Sequence, residues 1–251
     1  MLRYLFLFFL LAFTFQVRAT HVIGGEITWT CVGNGTVFQL TFYRDCNGAD
    51  INPVPENINV WYHPSISSIA LNFVSRTDIS PTCSPVTGSP NPLSCGTGAN
   101  GGNGLGAIEK IIYQSAPTTL PGIPGANGWV FTYDNFSRSN LITNLLNPSS
   151  TGITITATMF ASPFSVAGTC TDNSPQFLQD PYFISCAGEN YEFNLHPVDV
   201  DLDSLSVQFG TPMNSLTAGP YNPPVNPAPI TFEVGFTAQS PTPNASFNPT
   251  N

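Results

Sequence analysis

The chain has 251 residues, 8% charged and 41% apolar, with a formal net charge of −9 at pH 7. Apart from Arg3 and Arg18, four basic residues stand against fifteen acidic ones, and no Lys or Arg follows Arg138. Phosphate contacts need clustered cations, so a nucleic-acid partner is excluded and an anionic membrane surface is disfavoured. The low charge does not mean disorder, because aromatics reach 12% and supply apolar surface for a core.

Residues 1–19 read as a secretory signal. Arg3 gives the positive start and Leu5 to Phe13 an apolar run too short to span a bilayer. Val17-Arg18-Ala19 puts small residues at the −3 and −1 positions, so cleavage is expected after Ala19. No later segment is long and apolar enough to cross a membrane. The expected location is secreted or cell-surface.

The first expected element is a hairpin. Ile27, Trp29 and Cys31 alternate on one strand, and Phe38, Leu40 and Phe42 on the next. An Asn34-Gly35 turn would set Trp29 opposite Leu40 and Ile27 opposite Phe42, bringing both apolar faces together. Further strands are expected over 56–62, 68–74, 108–113, 129–133 and 152–160, the last alternating cleanly and rich in β-branched residues. Residues 81–106 are almost all Pro, Gly, Ser, Thr, Asn and Cys and read as a long loop. Only 136–146 suggests a helix, and a short one.

A second unit is expected after a turn-like Asn173-Ser-Pro-Gln-Phe177 linker, with strands over 182–185, 191–195, 204–209 and 230–236. Short strands with turn signals between them predict an all-β protein of two Ig/cadherin-like β-sandwiches. The expected division is a signal at 1–19, an N-terminal sandwich over 20–168 and a second sandwich over 169–251. About 80 residues serve that second unit, where a seven-strand sandwich takes roughly 100, so it is expected to be incomplete.

All six cysteines, Cys31, Cys46, Cys83, Cys95, Cys170 and Cys186, follow the signal. An even count in an exported chain reads as disulfides rather than catalytic thiols. Cys83–Cys95 would close the long loop, Cys170–Cys186 would brace the junction, and Cys31 would be left for Cys46. Geometry objects to the last pair. In that hairpin Cys46 lies about 27 Å along the strand from the residue facing Cys31, while a disulfide needs Cα atoms within about 7 Å. Either the strand bends sharply or Cys46 pairs in the Cys83/Cys95 region.

The segment THVIGGEITWTCVGNGTVFQLTFYRDC, with His21 to Ile27 and Tyr43 to Cys46 as its anchors, resembles the N-terminal module of large secreted surface proteins of Bacteroidetes bacteria. These are described as gliding-motility-associated or PKD-domain-containing. The progression Asn173-Ser-Pro-Gln-Phe177, Ile184-Ser-Cys186 and Asp199-Val-Asp-Leu-Asp-Ser-Leu205 is similar to the lead into their cadherin-like sandwich. The resemblance spans nearly the whole chain after the signal. It implies an adhesion or presentation role and, in longer members, more modules and a type IX sorting domain. Two departures stand out. Asp134-Asn-Phe-Ser-Arg138 replaces a Cys-Cys-Arg-Asn run, and Leu202 replaces a turn glycine.

Asp199, Asp201 and Asp203 are the candidate metal ligands. Carboxylates at alternate loop positions can converge on calcium, which takes six to eight oxygens. Asp172, Asp180 or Glu189 are candidates for the remaining oxygens. The plainer reading is a turn whose aspartates cap backbone N–H groups. An EF-hand is excluded, since Ser204 and Gly210 stand where Gly and Glu belong. Asp203-Ser204-Leu205 also resembles a short O-glycosylation motif of the same bacterial group.

Other chemistry is poorly supported. Copper at His21 would need cleavage after Thr20, and His63 and His196 sit before prolines without zinc-ligand spacing. No Gly-x-Ser-x-Gly elbow or phosphate loop occurs, and Glu26, Glu56 and Glu109 read as wet-face strand residues. Arg44 reads as structural, bonding a carboxylate or loop carbonyls. Trp29, Trp61 and Trp129 read as core, with a sugar-binding platform as the alternative. The expected protein is thus a non-enzymatic exported surface protein for adhesion or presentation, with calcium as its candidate cofactor and an unnamed glycan or protein ligand. The alternative is a carbohydrate-binding module of a larger secreted glycan-processing protein.

Overall fold

The computed structural model describes residues 22–48, 50–51, 53–80, 93–96, 106–181, 192–218, 221 and 226–246. The signal at 1–19, His21, Cys83, Cys186 and Glu189 lie outside them.

The hairpin forms from β1 (Val22–Val32) and β2 (Gly35–Asp45). Its two-residue loop is Gly33-Asn34, with Gly33 at φ 60°, rather than Asn34-Gly35. Trp29 therefore faces Phe38 and Ile27 faces Leu40. This pairing differs from the expected one by two residues, and an even shift leaves every side chain on its original face. The strands β3 (Glu56–Trp61), β4 (Ser68–Asp78), β5 (Ile108–Gln114), β6 (Trp129–Phe136) and β7 (Gly152–Met159) follow, close to the expected positions. No helix forms at 136–146; a 3-10 turn, Pro148–Ser150, comes just after.

These seven strands make one antiparallel sheet in the order β1-β2-β5-β4-β3-β6-β7. β4 is the corner. Its first residues, Ser68 to Leu71, pair with β3, and Asn72 onward pair with β5 across an irregularity between Phe73 and Ser75. A bulge bends a strand and increases its twist, and here it lets one strand serve both halves of a curled sheet. The ends of the sheet meet without hydrogen-bonding. A Cβ placed on Gly25 of β1 would lie 2.6 Å from Ile155 Cδ1 of β7, so glycine is what allows the approach. The result is a single nearly closed barrel, which overturns the expected first sandwich.

The barrel is filled by the inward residues of every strand. Phe38, Leu40, Phe42, Ile58, Leu71 and Phe131 are fully buried. Phe42 stacks between Tyr113 and Tyr133, with ring centroids 5.8 and 5.9 Å away. One end is closed by charge instead. Arg44 and Glu109 are direct partners in the β2–β5 register, and both are buried. Glu109 takes Nε of Arg44 on one oxygen and Nε of Arg76 on the other, and Arg76 continues to Asp50. Glu109 is therefore not on a wet face. Arg44 also donates to the Gly48 carbonyl at 3.2 Å, as its structural reading expects.

The second sandwich does not form among the described residues. Residues 192–195 and 204–209 are not strands, and 230–236 contributes a single isolated bridge, Phe232 with Leu145. A two-stranded sheet, β8 (Gln176–Phe177) with β9 (Pro197–Val198), is the remaining sheet structure. The chain after β7 instead works as a strap over the barrel seam, so neither a cadherin-like fold nor a second sandwich applies. Cys170 N–H donates to the Asn34 carbonyl, Asn173 Oδ1 accepts from Cys31 N–H, and Ser174 bonds both backbone groups of Trp29. The strap thus runs antiparallel along the free edge of β1. Residues 213–214 do the same for β7, through Thr154 and Gly152. Uncovered edges template aggregation, and the strap covers the end of the β1 edge from Trp29 and the start of the β7 edge at Gly152 and Thr154.

The disulfides fix this arrangement. Cys31 bonds Cys170, and Cys46 bonds Cys95. Cys83–Cys95, Cys170–Cys186 and Cys31–Cys46 are thereby excluded. The geometric objection to Cys31–Cys46 holds, and Cys46 reaches into the loop as its other alternative requires.

Candidate functional site

A cavity of about 480 Å³ opens on the outer face of the barrel, between the start of β1 and the strap. Its position follows from the sequence of β1. The β1–β2 register slips between Val22 and Gly24, an irregularity that leaves Ile23 unpaired. Val22 turns into the core, fully buried, and Ile23 turns out to line the cavity. Gly24 and Gly25 follow, with opposite roles. Gly25 faces the core, where a Cβ would come within 2.5 Å of the Thr41 carbonyl oxygen. Gly24 lines the cavity, and a Cβ there would meet nothing within 4 Å.

Glu26 completes the β1 contribution. Strand alternation places it outward with Tyr43 of β2 and Lys110 of β5, and Tyr43 and Lys110 are direct register partners. The strap covers this row. Lys110 Nζ bonds both oxygens of Asp180 at 2.8 and 3.0 Å, and the Tyr43 hydroxyl donates to the same carboxylate at 3.2 Å. Phe177, Gln179, Pro181 and Leu195 supply the outer wall. Glu26 is half-buried beneath it. Burial pushes its carboxyl above the usual range; the Phe177 backbone hydrogen bond and Lys110 oppose this, and Asp180 adds to it. Burial, then Asp180 and Glu26, push the Tyr43 phenol up as well.

The candidate calcium ligands lie elsewhere, and two of the three, Asp199 and Asp201, accept hydrogen bonds within the fold. Asp199 Oδ1 accepts the backbone N–H of Asp201 at 2.8 Å and of Asp203 at 3.3 Å. Asp201 accepts from the Asn173 backbone N–H at 2.6 Å and from its side-chain amide. This is the turn-capping arrangement, and it holds the turn to the strap. Leu202 takes the left-handed conformation at φ 66°, so the loop turns as a glycine would turn it. Asp172 faces this cluster. Burial raises its carboxyl first, and repulsion from Asp201, Asp203 and Asp199 raises it further. Asp180 is not part of the cluster, being bound to Lys110. Among the described residues, the group with metal-ligand proximity is Cys46, Cys95 and Glu109. Its two cysteines share a disulfide and offer no thiolates.

The remaining sequence candidates are structural. Trp29 and Trp129 are buried, at 5% and 3% exposure. Trp61 is half-buried, donates Nε1–H to Thr132 Oγ1 and meets Tyr221 edge-on at 4.9 Å. The three tryptophans therefore form no exposed platform. His63 packs on Trp129 at 4.5 Å, and its Nδ1 accepts from the N–H groups of Ser65 and Ile66. Burial holds it below its usual pKa. Asp45 accepts from Ser139 Oγ at 2.8 Å.

All four basic residues of the described chain have internal partners. Arg44 and Arg76 serve Glu109, Lys110 serves Asp180, and Arg138 donates to the carbonyls of Gly152 and Met213. Burial alone brings Arg138 down to about 10. The sequence reading missed the row of Glu26, Tyr43, Lys110 and Asp180. The available signal was the shared outward parity of the strand residues around the paired glycines; nothing local places Asp180 there. Comparison with protein-family models, with curated proteins and with solved structures finds no match for this chain.

Proposed function

We propose that this is a non-enzymatic, exported cell-surface protein that presents a binding face for adhesion, in the manner its resemblance to Bacteroidetes surface modules implies. The observation that carries the reading is the build of the outer face. A barrel stapled by two disulfides holds an open cavity whose polar neighbours are tied to one another. Tyr43 and Lys110 both serve Asp180, which positions them for structure rather than proton transfer. Disulfides persist in oxidising compartments outside the cytosol, in keeping with export. The carbohydrate-module alternative loses its main support, because stacking on a sugar needs an exposed aromatic face and two of the three tryptophans are buried.

The test is protease treatment of intact cells that produce the protein, followed by detection of the 22–159 barrel. Its loss while periplasmic markers survive is the expected result. Full protection, with release only on lysis, would retire the surface reading.

A further inference from the structure

We propose that the cavity beside the β1 bulge binds a small apolar amine, a ligand with an aromatic or hydrocarbon body and one protonated nitrogen paired with Glu26. This deepens the binding reading above by naming what that face holds. Four observations converge on it.

The first is Gly24. A glycine inside a strand costs roughly 0.5–1 kcal/mol relative to alanine, and it is usually repaid by a positive φ or a close neighbour. Gly24 has no neighbour within 4 Å of a built Cβ and no positive φ. What its missing side chain does accomplish is to leave the cavity floor open. The second is the adjacent bulge, which swings Ile23 outward to wall the same space.

The third is size and lining. About 480 Å³ falls within the range of small-molecule sites, roughly 300–1,000 Å³. Ile23, Ile108, Phe177, Pro181 and Leu195 give it apolar walls, which suit a hydrocarbon body.

The fourth is charge. Glu26 lines the cavity, and among the described residues it makes no ion pair. The nearby cation, Lys110, is already held by both oxygens of Asp180. The other three basic residues are committed within the fold. The pocket therefore offers a half-buried carboxylate, held by the Phe177 backbone N–H, whose neighbouring cation is already paired with Asp180. A ligand ammonium supplies a cation, with a charge-assisted hydrogen bond. An anionic ligand would meet Glu26 and Asp180 with one neutralising lysine between them.

The test uses the purified full chain and three matched probes, naphthylmethylamine, naphthylmethanol and naphthoic acid, titrated by calorimetry at neutral pH. The amine is expected to bind about tenfold tighter than the alcohol, the scale of one hydrogen bond to a charged group, and the acid weakest. Glu26→Gln should bring the amine down to the alcohol's affinity and leave the alcohol unchanged. Gly24→Val should weaken amine and alcohol alike by filling the floor, with thermal unfolding confirming an intact barrel. Equal binding of all three probes, preference for the acid, absence of binding, or an amine affinity indifferent to Glu26→Gln would each overturn the proposal. Should Gly24→Val fail to fold, Glu26→Gln decides alone. Surface exposure is read on cells and amine affinity on purified protein, so either reading can fail without the other.

Discussion

The barrel and the strap are held by different physics. The barrel, 22–159, buries rings and branched side chains in one continuous core, closed at one end by the buried Arg44–Glu109 pair, which Arg76 extends toward the surface. The strap, from 169 onward, has mostly half-buried or exposed apolar residues among those described; Leu178, Val200, Leu202 and Val234 are all exposed. It is fastened by hydrogen bonds to the edges of β1 and β7, by Asp201 and Asn173, and by the Cys31–Cys170 bond. A region that buries little and depends on tethers opens at lower free energy than a packed core. The cavity lies where the two meet, so one wall is barrel and the other is strap.

If that contrast is right, the largest loss should come from the barrel's charged end. Glu109→Ala removes the carboxylate shared by Arg44 and Arg76 and leaves the buried Arg44 guanidinium with the exposed Asp50 carboxylate, 3.7 Å away, in place of its close buried partner. Breaking such a pair from one side costs about 3–5 kcal/mol. Denaturant unfolding should show this as a lower midpoint for the whole domain. A loss below about 1 kcal/mol, the scale of a surface pair, would mean that the network is not a closed, dry plug.

The next effect should separate the regions. Cys31→Ser with Cys170→Ser opens a closure spanning 139 residues, and removing a native disulfide costs roughly 2–5 kcal/mol. The strap should respond first, with faster hydrogen exchange and proteolysis after residue 169 while the amides of β2 and β5 stay protected. Equal loss of protection in both would show that barrel and strap unfold as one unit.

The sequence carried local pattern well and long-range placement poorly, and particular residues show why. Alternation gave the faces of the hairpin correctly even with the loop displaced from Asn34-Gly35 to Gly33-Asn34, because an even shift preserves parity. The same parity held information the reading left unused. Glu109 shares its face with Ile111 and Tyr113, and Arg44 shares its face with Phe42 and Leu40, so both were marked for the interior. Sandwich and barrel differ in how β4 bends between β3 and β5, and strand alternation reads much the same in either. The disulfides and the Lys110–Asp180 contact join residues 49 to 139 positions apart, beyond the reach of any local pattern. The aspartate turn was legible as a set of backbone caps, while its bond to Asn173 came from a residue 28 positions away.

The smallest expected effect is also the most local, and it tests the strap's turn directly. Leu202 sits at φ 66°, and its side chain is 90% exposed, so it pays for left-handed backbone without packing in return. A left-handed residue with a Cβ costs roughly 1–2 kcal/mol, and glycine removes that cost while adding some unfolded-state entropy. Leu202→Gly should therefore stabilise the turn by about 1 kcal/mol net. Because Asp201 of this turn bonds Asn173, and Asn173 bonds Cys31 N–H, the gain should pass to the seam. Slower hydrogen exchange at Asn173 and Cys31, with the β2–β5 amides unchanged, is the predicted result. Were the turn stabilised with no change at Cys31, the aspartate turn and the β1 edge would be energetically separate, and the strap would be held there by its other tethers, Ser174 to Trp29 and the Cys31–Cys170 bond.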